Sequence, residues 1–143
     1  MAGWQSRHMP FDTKIVVVLR DDLAAWQRAN VTAFLVSGIA AHAGVVGEPY
    51  RDAAGNTYLP MLRQPVFVFQ ASAAELKRTF DRARSRQIAF SLFPDEIFAT
   101  NNDDDNRAAV ARLAPDAMNL AGLAFRAESK IADKISSGLS RHA

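Results

Sequence analysis

A chain of 143 residues with 49% apolar positions has the size and composition of one compact domain with a single continuous core. Its formal net charge is only +2, so the pI of about 9.3 reflects a few extra arginines and argues little for a polyanion partner. There is no cysteine, which excludes a disulfide framework, a thiol nucleophile and a cysteine metal site, and fits a reducing, cytoplasmic location.

The segment Met1 to Pro10 carries Arg7 and His8 but no apolar stretch of signal-peptide length, and residues 1–12 are expected to form a flexible N-terminus. Ile15 to Leu19 is an unbroken aliphatic run, mostly β-branched, which suits a central strand covered on both faces. Asp21 and Asp22 can then cap a helix beginning near Leu23 and running to Ala41, apolar on almost every side, with Trp26, Ala33, Phe34 and Leu35 expected to be mostly buried. Val31 to Gly47 is the stretch nearest to a membrane span, but Ser37, Gly38, His42 and Gly44 interrupt it; it reads as a core helix and its exit, and no membrane partner is expected. Gly47, Pro49, Gly55, Pro60 and Pro65 then break the chain. Residues 48–62 are expected to form a surface hairpin arm turning in Arg51 to Tyr58.

Val66 to Phe69 is a second short apolar strand. Ser72 and Glu75 form a capping box, and Leu76, Phe80 and Ala83 fall on one face of the helix that follows. Ile88 to Phe93 reads as the third strand, ended by Pro94, so strand, helix and strand imply a right-handed parallel crossover. Asp95 to Asn106 is polar and reads as loop, followed by a short helix from Ala108 to Leu113. Asn119 to Phe125 is the fourth strand, and Ile131, Ile135 and Leu139 place a last helix against the sheet. The pattern is α/β, one domain, with a four-stranded mixed sheet flanked by helices.

Lys14 to Leu23, closing on Arg20, Asp22 and Leu23, resembles the opening of type 2 peptidyl-tRNA hydrolases, and Lys130, Ile131, Asp133, Lys134, Ile135 and Leu139 resemble their last helix. Pro65 to Ala83 resembles their second strand and third helix. Overall the chain is most similar to an uncharacterised bacterial family, the domain of unknown function numbered two thousand, itself similar in fold to those hydrolases; the Asp52 and Gly55 turn, Leu92-Phe93, Thr100-Asn101 and Asp133-Lys134 carry the likeness. The resemblance implies a type 2 peptidyl-tRNA hydrolase-like fold. It does not extend to the chemistry. Where the hydrolases carry a glycine and lysine loop and then a polar Gln and His segment, this chain has Ala24 to Asn30 and then Val31 to Val36, leaving Arg28 as the one cation. Asp95 falls near an acidic position of the hydrolases, and Thr100 near a hydroxyl beyond it.

Open α/β sheets place ligands beyond strand ends. The candidate ligand-binding residues there are Arg20, Asp21, Arg28, Asn30, Thr100, Asn101 and Asn102, with Asp22 and Asp95 as candidate catalytic carboxylates. A plainer reading makes Asp21, Asp22 and Asn102 helix caps, pairs Arg28 with one of them, and leaves Thr100 to Asn102 as a turn. Asp103, Asp104 and Asp105 lack the alternating ligands and glycine of a calcium loop and suit a helix N-terminus; neither a metal nor another cofactor is expected. His8 and His142 lie near the ends, and His42 suits a helix end. Arg78, Arg82 and Arg86 form a basic helix face with Lys77 and Arg84, a phosphate footprint or a solvated face, with RNA the weaker reading. The sequence thus favours a small-ligand-binding or regulatory protein, self-associating as a homodimer, over a hydrolase with a rebuilt site acting on an ester such as peptidyl-tRNA. Tyr58, Leu59 and Met61 of the arm offer a dimer contact.

Overall fold

The structure is a computed structural model and describes residues 11–142. His8 and most of the N-terminal segment expected to be flexible lie outside that range. Strand β1 (Thr13–Arg20) is followed by helix α1 (Ala25–Ala43), the small strands β2 (Tyr50–Arg51) and β3 (Thr57–Tyr58), strand β4 (Val66–Ala71) and helix α2 (Ala73–Ser85). Then come β5 (Phe90–Pro94), a 3-10 turn (Asp95–Ala99), α3 (Asp103–Ala111), a second 3-10 turn (Pro115–Ala117), β6 (Leu120–Glu128), α4 (Ser129–Ile135) and β7 (Ser140–Arg141).

The main sheet has five strands in the order β5-β6-β1-β4-β7, not four. The extra strand is β7. It pairs antiparallel with β4 through Phe69↔Arg141 and Gln70↔Ser140, and the His142 amide donates to Val68 O at 2.9 Å. These residues carry no apolar alternation; backbone pairing makes the strand, with the Arg141 guanidinium over the Phe67 ring beside it. β1 runs parallel to β4 and antiparallel to β6, which in turn is antiparallel to β5. The expected crossover through α2 therefore joins two strands of like direction that are not neighbours, because β1 and β6 lie between them.

β1 carries the fold because both of its faces are covered. Val16 and Val18 pack with Leu76, Phe80 and Ala83 of α2 and Ala132 and Ile135 of α4. On the other side Ile15, Val17 and Leu19 pack with Val31, Leu35 and Ile39 of α1. These side chains are almost wholly withdrawn from water, the valines, leucines, isoleucines and Phe80 each worth about 1.5–3 kcal/mol of burial. The α2 start is the expected capping box: the Glu75 amide donates to Ser72 Oγ at 3.1 Å and the Ser72 amide to Glu75 Oε1 at 2.9 Å.

β6 approaches α1 closely at Gly122. A Cβ there would stand 2.9 Å from Val18 O and 3.1 Å from Leu35 Cδ1, so the position requires glycine. Beside it the register shifts: Phe93 faces Gly122 but Pro94 faces Leu120, leaving Ala121 as an extra residue in β6.

Helix α1 departs from expectation in two respects. It starts at Ala25, and neither aspartate caps it; instead the Ala24 amide donates to Gln27 Oε1 at 2.9 Å. Leu35 is buried as expected, but Ala33 is exposed and Trp26 and Phe34 are 65% and 53% exposed, because only the Val31, Leu35 and Ile39 stripe meets the sheet. The expected polar loop is also more ordered. It holds the Asp95–Ala99 turn and the first half of α3, whose end falls at Ala111.

Residues 50–58 form a hairpin whose base is clamped by Gly47 N to Met61 O at 2.9 Å and Arg63 N to Val45 O at 2.8 Å. Its turn is built on Asp52, which accepts from the amides of Ala54 and Asn56 (2.9 Å each), Asn56 Nδ2 (3.0 Å) and the Tyr58 hydroxyl (2.7 Å), while Gly55 takes φ +85°.

Candidate functional site

Three strands of one direction, β1, β4 and β5, end at the same edge of the sheet, where β6 begins. The Asp21 amide donates to Ala71 O and the Asp95 amide to Asn119 O, both at 2.9 Å, which ties the strand-end loops together.

Arg20 is the hub of this edge. Its Nε donates to Asp22 Oδ1 at 2.6 Å, and Nη1 donates to Asp95 Oδ2 at 3.1 Å and to Leu120 O at 2.9 Å. Nη2 lies 3.0 Å from Asp95 Oδ1, but off the N–H direction, and that buried oxygen has no hydrogen-bond partner among the described residues. Partial burial alone would lower the Arg20 pKa; hydrogen bonds to Asp95 and Asp22 together outweigh it and leave the pKa raised. Both candidate carboxylates are thus engaged by one guanidinium. This arrangement fixes loops well and is poorly disposed to abstract a proton.

The other candidates divide. Arg28 donates Nε to Leu23 O at 3.0 Å, makes no ion pair with Asp21 or Asp22, and lines a shallow hollow with Leu19, Ala25, Val68 and His142 to which Asp95 does not contribute. Thr100 presents its hydroxyl to Ile97 O at 2.8 Å and to Asn106 Oδ1, one proton between two acceptors. Asn102 caps α3, accepting from the Asp105 amide at 2.8 Å, and its Nδ2 donates to Asn101 Oδ1 at 3.1 Å and Asp105 Oδ2 at 2.9 Å. The plainer reading thus holds for Asn102 and fails for Arg28, Asp21 and Asp22 as caps.

Asn30, Thr100, Asn101 and Asn102 nevertheless meet, in a groove of about 620 Å³ between α1 and the segment from Phe93 to Asn106. Its wall is aromatic. Trp26 meets Phe98 edge-on (centroids 6.1 Å apart), Phe98 lies 4.9 Å from Phe93, and Phe93 lies 6.0 Å from Phe34. Each such contact contributes about 0.5–1.5 kcal/mol beyond area burial. The Asn30 side chain makes no hydrogen bond with any described residue, so its amide is available to a ligand. Asp103 is the one charged residue of the lining.

Of the groove residues that are not sequence candidates, Trp26 and Phe34 were expected in the core, and Ser37, Phe93, Ile97, Phe98 and Asn106 were given no part in a site. A signal was present: Trp26, Asn30, Phe34 and Ser37 fall on one helical stripe, roughly 140° or more round from Val31 and Leu35 if counted from Trp26. The basic face of α2 is largely occupied. Arg82 donates to Ser137 O at 3.0 Å and Ile135 O at 3.3 Å, Lys77 pairs with Asp81 and Asp116, and Arg84 lies over the Phe80 ring. Among the described residues no group of three or more His, Cys, Asp or Glu is placed to hold a metal, and no helix is long and apolar enough to cross a membrane.

A five-stranded mixed sheet between two helical layers, with a strand-end groove of aromatic rings and amides, defines a small α/β domain. Residues 13–143 match the family described as "Protein of unknown function (DUF2000)", and the chain belongs to that family. Among solved structures it is similar to a protein of unknown function, Atu0240, from Agrobacterium tumefaciens str. C58, at 49% identity and a TM-score of 0.91, over 93% of this chain and 99% of that one. No curated protein matches.

Proposed function

We propose that this protein is a cytoplasmic small-ligand-binding or regulatory protein that keeps a type 2 peptidyl-tRNA hydrolase-like fold without its catalysis and holds its ligand in the groove between α1 and residues 93–106. The observation that carries this reading is the groove: its volume lies within the roughly 300–1,000 Å³ of small-molecule sites, and rings wall it while amides rim it. A mixed sheet with helices on both faces supports the fold assignment. Self-association through the arm belongs to the same reading, supported by the exposure of Tyr58, Leu59 and Met61.

The test is an NMR titration with neutral aromatic fragments, indole and benzamide among them. The expected result is shifts confined to the Trp26 indole, Asn30 and Thr100 to Asn102 and lost in Trp26→Ala. Shifts elsewhere, or none, overturn it.

The alternative is a hydrolase with a rebuilt site, and the unmatched Asp95 Oδ1 is the observation in its favour. Against it stand the grip of Arg20 on both carboxylates and the absence of an ion pair between Arg28 and either of them. A peptidyl-tRNA hydrolysis assay, with a type 2 hydrolase as positive control, separates the two. No turnover is expected, whereas turnover that vanishes in Asp95→Asn would establish the enzyme.

A further inference from the structure

The groove has a sign as well as a shape. Among the described residues its lining contains no lysine, arginine or histidine, and its single charged residue is the acidic Asp103. The segment forming its far side, residues 95–107, carries five carboxylates (Asp95, Glu96, Asp103, Asp104, Asp105) and one arginine, Arg107. On the near side, the only basic residues of α1 are Arg28 and His42, and these face other hollows. Three features oppose a negative potential, the first being Arg20, which pairs with Asp95 at the sheet edge. Arg107 lies 2.6 Å from Asp103 and 3.5 Å from Asp104, and the N-terminus of α3 carries about half a positive charge. Together they do not offset the whole set, since among the described residues Asp105 and Glu96 pair with no cation and the helix end is outnumbered by the three carboxylates of its own first turn.

Ring faces add to the same sign. Each aromatic face is the negative pole of a quadrupole, indole most strongly, and a cation over it is attracted the more as water is excluded. Trp26, Phe98, Phe93 and Phe34 form a continuous arc of such rings beside Asp103. A phosphate or carboxylate ligand would find no cation there to compensate its desolvation. A cation with an apolar body finds rings for the body, ring faces and a carboxylate for the charge, and the free Asn30 amide for any hydroxyl or carbonyl it carries.

We infer that the ligand of this groove is a small organic cation, a quaternary or protonated amine with an apolar body, seated against Trp26 and Phe98 beside Asp103. This rests on the groove being the ligand site, and the test separates the two claims. Three probes of one shape and different charge are titrated into the protein and followed by amide and indole NMR: choline, its uncharged carbon isostere neohexyl alcohol, and the anion tert-butylacetate. Choline is expected to bind about tenfold more tightly than neohexyl alcohol, and tert-butylacetate most weakly, all with shifts at Trp26, Asn30 and Asn101. Asp103→Asn and Trp26→Leu, both at exposed positions, should each erode the preference for choline while leaving the thermal transition in place. If neohexyl alcohol or tert-butylacetate binds at these residues as well as choline does, the cation inference falls and the groove stands. If none of the three binds while neutral aromatic fragments still shift these residues, the cation inference again falls alone. If neither set binds, the groove reading falls with it.

Discussion

Gly122 offers a quantitative check on how closely α1 is held to the sheet. In Gly122→Ala the new Cβ would meet Val18 O at 2.9 Å, Leu35 Cδ1 at 3.1 Å and Leu19 Cδ2 at 3.2 Å. The leucine tips can give by a few tenths of an ångström, but the carbonyl belongs to the central strand and is fixed by its ladder. Overpacking of this kind costs about 1–3 kcal/mol, against which alanine recovers about 0.5–1 kcal/mol of glycine's entropic penalty. A Cβ this close to a fixed carbonyl takes the upper half of that range, about 2–3 kcal/mol, so a net loss of about 1–2.5 kcal/mol follows, which for a domain of this size lowers Tm by roughly 3–10 °C. Gly38→Ala is the internal control. It sits in α1, where replacing glycine gains up to about 1 kcal/mol, and its Cβ would meet only Ser91, with Cβ at 3.3 Å. Its Tm should stay within a few degrees of the parent. Both are read by calorimetry on the same preparation. A Gly122→Ala protein as stable as the parent would refute the close approach of β6 to β1 and α1, and with it the placement of the helix that carries Trp26 and Phe34.

Other expectations follow from the same geometry. Arg20→Met strands Asp95 at the sheet edge and should cost about 1–3 kcal/mol in urea unfolding, less than a fully buried pair would because Asp95 is 41% exposed; Arg20→Met with Asp95→Leu should regain most of it. The Asp52 carboxyl, held at about 2 rather than 3.8 first by the Tyr58 hydroxyl and then by Asn56, should titrate near that value by carboxyl NMR, and Tyr58→Phe should raise it. Since the folded pKa is depressed, the contribution of Asp52 to the hairpin is complete above pH 3.8 and is lost as pH falls through about 2. Leu59→Lys with Met61→Lys should convert any dimer seen by sedimentation to monomer without lowering Tm, because both side chains are solvent-exposed; an unchanged sedimentation coefficient would remove the arm from the interface.

What the sequence disclosed and what it hid have physical reasons. Ile15 to Leu19 announces a two-sided central strand because only such a strand tolerates an unbroken aliphatic run. Ser72 and Glu75 announce α2 because their hydrogen bonds are local. β7 is invisible, since two polar residues paired through their backbone leave no periodic side-chain pattern. Helix α1 misleads because its apolar residues serve two partners, the sheet on one stripe and the groove on another, so burial could not be read from apolarity. In the Asp- and Asn-rich segment after Pro94 the start of α3 was legible, Asn102 as its cap and Asp103 to Asp105 in its first turn, whereas the Asp95–Ala99 turn was hidden by a composition that reads as loop. Arg20, Asp22 and Asp95 were legible as strand-end groups, but their mutual engagement depends on a contact between residues 75 apart in sequence.

The pairing of Ser140–Arg141 along β4 also bears on how the molecule keeps to itself. An open β4 would present the amides and carbonyls of Phe67 to Ala71 as a template for any passing strand, beside the rings of Phe67 and Phe69. The short segment from Ser140 occupies part of that margin, and the Arg141 guanidinium lies 4.8 Å over the Phe67 ring, placing a cation where a foreign strand would dock. A few residues with no part in the core thus act as a selvedge. Trimming them would leave the fold's interior intact while making its border adhesive.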